Sequence, residues 1–358
     1  MNLLVLSNMK PSKVHVAYGL FVQNQVDVLN KMDEIDHLLY LGITSVDKSF
    51  AGLLKKYLLL LIQLFTQAIF TRKKFDIIHV HYYFPTILYA LVYKFLRNPK
   101  TKIVVTLHGG DVSKYRNLSW IYRAPNRFVD HHIFVSEGLR NGFFANPSSY
   151  TVLSAGILDS FELERPQVSE KVFDLLMVGR LVINKGTDRL MALLEKLEGE
   201  LTVGVIGDGV EARAIEQFQS DRHKLVRLGL CPPEQMKQYF YQSKFVISLS
   251  RLESFGLVMS EAMACGVPVI ATKSVGAFIQ VQDDYNGFLL ENSEEEFVQD
   301  NVQKVQKCLD LYGTPAYQEV VDNAAGSNGC FKLGHIIIEV VSIYQKLLAR
   351  DETRDLPG

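Results

Sequence analysis

Short apolar runs recur along the chain with helix-length stretches between them, the alternation that builds βαβ units around a parallel sheet buried on both faces. Leu3 to Ser7, Phe75 to Val80, Lys102 to Leu107 and His132 to Val135 supply strands to the first half. Phe173 to Val178, Leu201 to Ile206, Leu225 to Leu228, Phe245 to Leu249 and Val267 to Ala271 supply them to the second. The pattern predicts an α/β protein of two doubly wound parallel-sheet domains, spanning 1–160 and 172–332. Pro166 and a cluster of charges without periodicity place the linker over Asp159 to Lys171. Apolar residues at helical spacing from Leu333 to Leu348 predict a long terminal helix within 333–358.

One stretch breaks this rhythm. Leu53 to Phe70 is almost wholly apolar, carries Lys55 and Lys56 near its start and is followed by Arg72-Lys73-Lys74. Gln63, Thr66 and Gln67 interrupt it, leaving less than the roughly 20 apolar residues of a membrane span. Two readings stay open over 53–74: a buried crossover helix, or a helix lying on an anionic membrane surface.

A length of 358 residues suits two domains. A net charge of -1, from 38 Lys plus Arg against 39 Asp plus Glu, gives no global basic field, so nucleic acid is not an expected partner. The four cysteines are widely spaced and form neither a disulfide framework nor a zinc ribbon. Met1 to Asn8 has no basic n-region and reads as the first strand of a cytoplasmic protein.

Three segments carry chemistry. Gly179-Arg180-Leu181-Val182-Ile183-Asn184-Lys185-Gly186 follows a strand, so Arg180 and Lys185 leave the sheet at its ligand-binding edge, where two cations suit a diphosphate. Glu253-Ser254-Phe255-Gly256-Leu257 also follows a strand and opens a helix that contains Glu261. Free N–H groups at that helix start suit an anion, and the two acids suit paired hydroxyls of a sugar and a ribose. Thr106-Leu107-His108-Gly109-Gly110-Asp111 ends a strand of the first half, which puts a neutral imidazole at the crevice and glycines where a ligand approaches closely. Gly207-Asp208-Gly209-Val210-Glu211-Ala212 fits a dinucleotide fingerprint, but the next strand ends Leu228-Gly229-Leu230-Cys231, without the acid that fingerprint requires.

Together these segments resemble the retaining glycosyltransferases of family 4, also called glycosyltransferase group 1. The resemblance implies the GT-B fold: two Rossmann-like domains facing a cleft, the first acceptor-binding and the second nucleotide-sugar-binding, with the terminal helix crossing back to the first. It implies that Arg180 and Lys185 bind the donor diphosphate, Glu261 the ribose and Glu253 the transferred sugar, with His108 contacting that sugar from the acceptor side. Gly19 takes the place of an N-terminal glycine loop near the phosphate, Gly207 and Gly209 belong to the nucleotide domain, and Gly109 and Asp111 to the acceptor side. The expected substrates are a UDP- or GDP-sugar and a glycan or lipid-linked glycan of cell-envelope polysaccharide synthesis, at the inner face of the plasma membrane if 53–74 touches it. A catalytically silent scaffold subunit, or an epimerase or phosphorylase on the same fold, is the alternative.

Two places depart from the family pattern: Ala155-Gly156-Ile157-Leu158 at the expected hinge, and Val275-Gly276-Ala277-Phe278-Ile279 followed by Gln280, where many members carry an acid. No cofactor or metal is expected. His79 with His81, and Asp130 with His131 and His132, lack a third cluster at ligand spacing, and no D-x-D is present.

Overall fold

The computed structural model describes residues 1–16, 18–47, 49–113, 120–161, 170–327 and 329–352. The chain divides into two compact units, one formed by Met1–Gly156 with the segment from Leu333 onward, the other by Ile157–Lys332.

The first unit holds a six-stranded sheet of β1 (Asn2–Ser7), β2 (His37–Gly42), β3 (Ile77–His81), β4 (Lys102–Leu107), β5 (His131–Phe134) and β6 (Tyr150–Val152), in the order β2-β1-β3-β4-β5-β6. All pairings are parallel. Leu3 to Leu6, Ile77, Ile78 and Ile103 to Val105 are buried on both faces, which is why these strands read as unbroken apolar runs. The terminal helix Leu333–Glu352 completes this unit: fully buried Tyr344 meets His79 Nδ1 at 2.6 Å.

The second unit repeats the plan with β7 (Phe173–Val178), β8 (Thr202–Ile206), β9 (Lys224–Gly229), β10 (Ser243–Ser248), β11 (Val269–Thr272) and β12 (Gly287–Leu290), in the order β12-β11-β10-β7-β8-β9. Each sheet reverses its winding direction once, between β1 and β3 in the first and between β7 and β10 in the second. Ligands of such sheets bind beyond the carboxyl ends of the strands at that point.

The expected boundary at residue 160 moves to 156. Ile157 N–H donates to Phe331 O at 2.8 Å, and Phe161 is buried in the second core beside Phe240. The expected linker is therefore partly structured: Asp159–Phe161 is a 3₁₀ turn, Val172 N–H donates to Gln242 O at 2.7 Å, and residues 162–169 lie outside the described set. The strands missing from the apolar pattern, β2, β6 and β12, are all sheet edges. β6 has 3 residues and β12 opens on a glycine, whereas β2 carries the apolar run Leu38 to Leu41 and is only partly buried.

Candidate functional site

The second unit brings two loops together at its switch point. After β7 the chain turns through Gly179, runs to a 3₁₀ turn over Ile183–Lys185 and closes on Gly186 at φ 75°. A Cβ on Gly186 would lie 2.2 Å from Leu249 O, so only glycine lets this loop sit against the end of β10. Across the gap, Arg251 N–H donates to Asn184 O at 2.8 Å, and Asn184 Nδ2 donates to Leu252 O at 3.2 Å. The contact places Lys185 Nζ directly on Glu253 Oε2, a half-buried ion pair that ties the expected diphosphate ligand to the expected sugar ligand. Arg180 stays exposed at the head of the first loop, its guanidinium without a partner among the described residues.

The second loop leads into the helix Leu257–Ala264, whose start on Gly256 (φ 82°) carries no side-chain cap. Met259 N–H donates back to Gly256 O at 3.0 Å, and the N–H groups of Leu257 and Val258 are left open to an anion. Ser254 and Leu257 flank this start, half-buried. Phe255 is buried, with its ring edge-on to Phe331 at 5.1 Å. One turn further on, Glu261 is half-buried with no hydrogen-bond partner among the described residues, and burial pushes its carboxyl up to about 7.

Gly207 and Gly209 are required by packing. Cβ atoms there would lie 1.8 Å from Gly179 O and 2.1 Å from Leu181 O. Leu181 N–H donates to Asp208 O at 2.9 Å and Glu211 N–H to Leu181 O at 3.0 Å, so the Gly-Asp-Gly turn zips backbone to backbone onto the Arg180 loop.

Two positioning residues escaped the sequence reading. Arg251 forks onto the Asp188 carboxylate at 2.9 and 2.8 Å, binds Glu294 through Nε at 2.9 Å and donates to Ile183 O, riveting the two loops. Burial raises the Asp188 carboxyl, but the hydrogen bonds and charge of Arg251 outweigh it and hold the group below its ordinary range. Gln280 lies where the departing segment packs under the second loop: its amide donates to Phe255 O and to Gly276 O at 3.2 Å, and its oxygen accepts from Ser260. Ile279, at the position of the missing acid, is exposed. Arg251 was legible only as one more charge after a strand, and Gln280 only as the residue that closes a departure from the family pattern.

In the first unit the ends of β1, β3 and β4 gather a histidine pocket. His81 Nδ1 lies 3.1 Å from His108 Nε2, and Phe21 and Tyr82 wall the His108 ring at 4.9 and 4.8 Å. Tyr82 adopts φ 65°, rare for a residue with a side chain, which holds its ring there. Neither aromatic was among the expected residues. Burial keeps both imidazoles neutral: His81 falls to about 3, and His108 lies well below its usual value, with His81 adding to the effect. His81 Nε2 is buried with no partner among the described residues. An orphaned lone pair is more tolerable there than an orphaned N–H, so His81 donates through Nδ1–H and His108 keeps its proton on Nδ1. Half-buried His108 thus presents a hydrogen-bond donor at its open edge.

Asp111, expected on the acceptor side, is instead spent on the backbone. Its Oδ1 accepts from His108 N–H at 3.1 Å and Gly109 N–H at 2.9 Å, and its Oδ2 from Tyr83 N–H at 3.1 Å. It shapes the loop that holds His108. Gly19, at φ 76°, is required by packing, since a Cβ would lie 2.8 Å from Met9. His79 is saturated by Tyr344 at 2.6 Å and Thr106 at 2.7 Å, His131 by Ser149 and Thr151, and His132 bonds Asn126 at 2.7 Å. Among the described residues no three His, Cys, Asp or Glu side chains are placed to hold a metal ion.

Two family models match the chain in tandem, Glycosyltransferase Family 4 over residues 24–154 and Glycosyl transferases group 1 over residues 159–320. The chain belongs to the group 1, family 4 glycosyltransferases. This glycosyltransferase is 28% identical over 281 residues to an uncharacterized glycosyltransferase of Methanocaldococcus jannaschii, covering 76% of each chain. It is 27% identical over 301 residues to the N-acetyl-alpha-D-glucosaminyl L-malate synthase of Bacillus anthracis, covering 78% of this chain and 77% of that one. Its fold is the GT-B architecture. It resembles Anabaena HepE, crystallised with UDP and glucose, at a TM-score of 0.73 and 19% identity, over 97% of this chain and 100% of that one. Sucrose-phosphate synthase of Thermosynechococcus elongatus gives a TM-score of 0.74 at 16% identity, over 98% and 100% of the two chains.

Proposed function

We propose that this glycosyltransferase moves a hexosyl unit, with retention at the anomeric carbon, from a UDP- or GDP-sugar to a glycan or lipid-linked glycan acceptor on the cytoplasmic side of the cell envelope. The observation that carries the reading is the cluster at the β7/β10 switch point. An exposed guanidinium, a lysine pre-paired to Glu253, an uncapped helix start and an unpartnered carboxyl at Glu261 stand together there. Arg180, Lys185 and the N–H groups of Leu257 and Val258 supply positive potential where a departing nucleoside diphosphate gathers charge. Two cations and a helix dipole are enough to neutralise that group, so we assign no metal to the reaction. Glu261 accepts the ribose hydroxyls and Glu253 those of the sugar, and in the first unit His108 offers a hydrogen-bond donor at Nδ1 to a sugar hydroxyl. We assign no covalent nucleophile; the acceptor hydroxyl loses its proton to a donor phosphate oxygen on the face the diphosphate leaves. UDP as the nucleotide is supported by HepE, which was crystallised with it.

Thermal-shift screening against UDP-, GDP-, ADP- and dTDP-sugars tests the donor, because a ligand at about 100 times its dissociation constant stabilises the fold by about 2.7 kcal/mol. NMR of the product anomer with the stabilising donor then tests retention. No shift with any nucleotide sugar overturns the donor site, an inverted anomer overturns the stereochemistry, and donor binding without turnover points to a silent scaffold subunit.

A further inference from the structure

The apolar stretch after residue 50 is neither of the ordinary things such a stretch can be. It forms the helix Phe50–Leu64, continued by a π-helical turn to Ile69, and at 20 residues it passes the length and hydropathy test for a membrane span that the sequence reading expected it to fail. Only 22% of its most apolar window is buried, so it is not a core helix. Nor is it free to span, because Leu60, Leu64, Ala68 and Ile69 are buried against its own unit. Tyr89 Oη donates to Tyr57 O at 2.9 Å, and Arg97 donates to Thr71 O at 2.7 Å. The helix lies flat on the first unit with its apolar face outward. Phe50, Leu54, Leu58, Leu59, Ile62 and Phe70 keep 48% to 84% of their surface exposed.

We propose that this face docks the glycosyltransferase on a membrane surface rich in anionic lipid. The charges choose the occupant: Lys55 and Lys56 lie at one end and Arg72, Lys73 and Lys74 at the other, with no Asp or Glu between Phe50 and Phe75. Asp47, beside the helix start, is the acid of this frame, and five cations outweigh it; apolar side chains within such a predominantly basic frame match acyl chains beneath acidic headgroups. A second copy of this chain is the poorer match, since a two-fold contact would set the two basic frames against each other. Beside the helix, Phe95 and Leu96 are exposed at the end of the helix Tyr83–Leu96 and extend the apolar surface. The proposal deepens the proposed function by naming where the acceptor resides, and rests on it only for that.

The test is flotation of the full chain with vesicles of phosphatidylcholine alone or with about one third phosphatidylglycerol. The expected result is binding to the anionic vesicles at least about tenfold tighter than to the neutral ones. The triple change Arg72→Gln, Lys73→Gln, Lys74→Gln should weaken it by about 10²-fold, and Leu58→Gln with Ile62→Gln by about tenfold or more. Melting temperature and donor-induced shift should be unchanged in both variants, because every altered side chain is exposed. Absence of vesicle binding, binding indifferent to both variants, or a dimer in light scattering that the Leu58, Ile62 variant splits without any vesicle affinity would each overturn the proposal. Intact vesicle binding with no donor-induced shift would instead sink the donor reading and leave the docking face standing.

Discussion

The two units use one architecture for opposite electrostatic ends. At the switch point of the first sheet the polar groups are buried and largely satisfied: His79 is saturated, His81 holds His108, and Asp111 serves three backbone N–H groups. At the switch point of the second, Arg180 and Glu261 stand without partners among the described residues, and the Lys185–Glu253 pair is half-exposed. The first region is shaped by what it has already bonded, the second by what it has left over. Under the proposed function the first region would position a sugar by shape and neutral hydrogen bonds, and the second would recognise a diphosphate by unspent charge.

The contrast breaks most visibly through activity. Arg180→Ala combined with Lys185→Ala should lower kcat/KM by about 10³-fold and leave the melting temperature nearly unmoved, since neither cation supports the core. Near-normal transfer by the double variant would remove the diphosphate from this site. Arg251→Met should come next, costing about 10²-fold in kcat/KM by loosening the two loops against each other. A lost Asp188 fork with unaltered kinetics would show that the loops hold their geometry by backbone contacts alone.

The smallest effects lie in pH, and they should run in opposite directions. His81 and His132 are depressed by burial to about 3 and about 4, below an unfolded value of about 6.5. Their contribution is therefore complete above about pH 6.5 and is lost as the pH falls toward those values. Glu261 is raised to about 7, so its contribution is complete below its unfolded value near 4.3 and is lost as the pH rises through about 7. Melting curves of the wild type and Glu261→Gln across this range should show the variant gaining more stability at high pH than at low. UDP affinity should weaken as the pH falls from about 8 to 6, because a protonated carboxyl accepts ribose hydroxyls poorly, and Glu261→Gln should flatten that slope. Parallel pH profiles for the variant and the wild type would refute the assignment.

The central strands could be read from the sequence because burial on both faces forces unbroken apolar runs. The motif residues could be read because strand ends fix where side chains leave the sheet. What stayed hidden depends on partners far away in sequence. Arg251 is a rivet only because Asp188 and Glu294 fold beside it, and Gln280 gains its role from Ser260 and the Phe255 carbonyl. The backbone zipper that demands glycine at Gly207 and Gly209 is likewise visible only in space. The resemblance put Asp111 on the acceptor side, yet three neighbouring N–H groups claim it.

The bond between His79 and Tyr344 spans 265 positions. As the ribosome makes the chain, the whole segment Ile157–Lys332 emerges before the helix that supplies Tyr344 exists. The unit begun first is thus the last to be completed, and through most of translation β3 waits with a buried imidazole lacking one of its partners. Until that helix arrives, the nascent first unit exposes its own unfinished core in addition to the apolar face of Phe50–Leu64, an interval in which aggregation competes with folding.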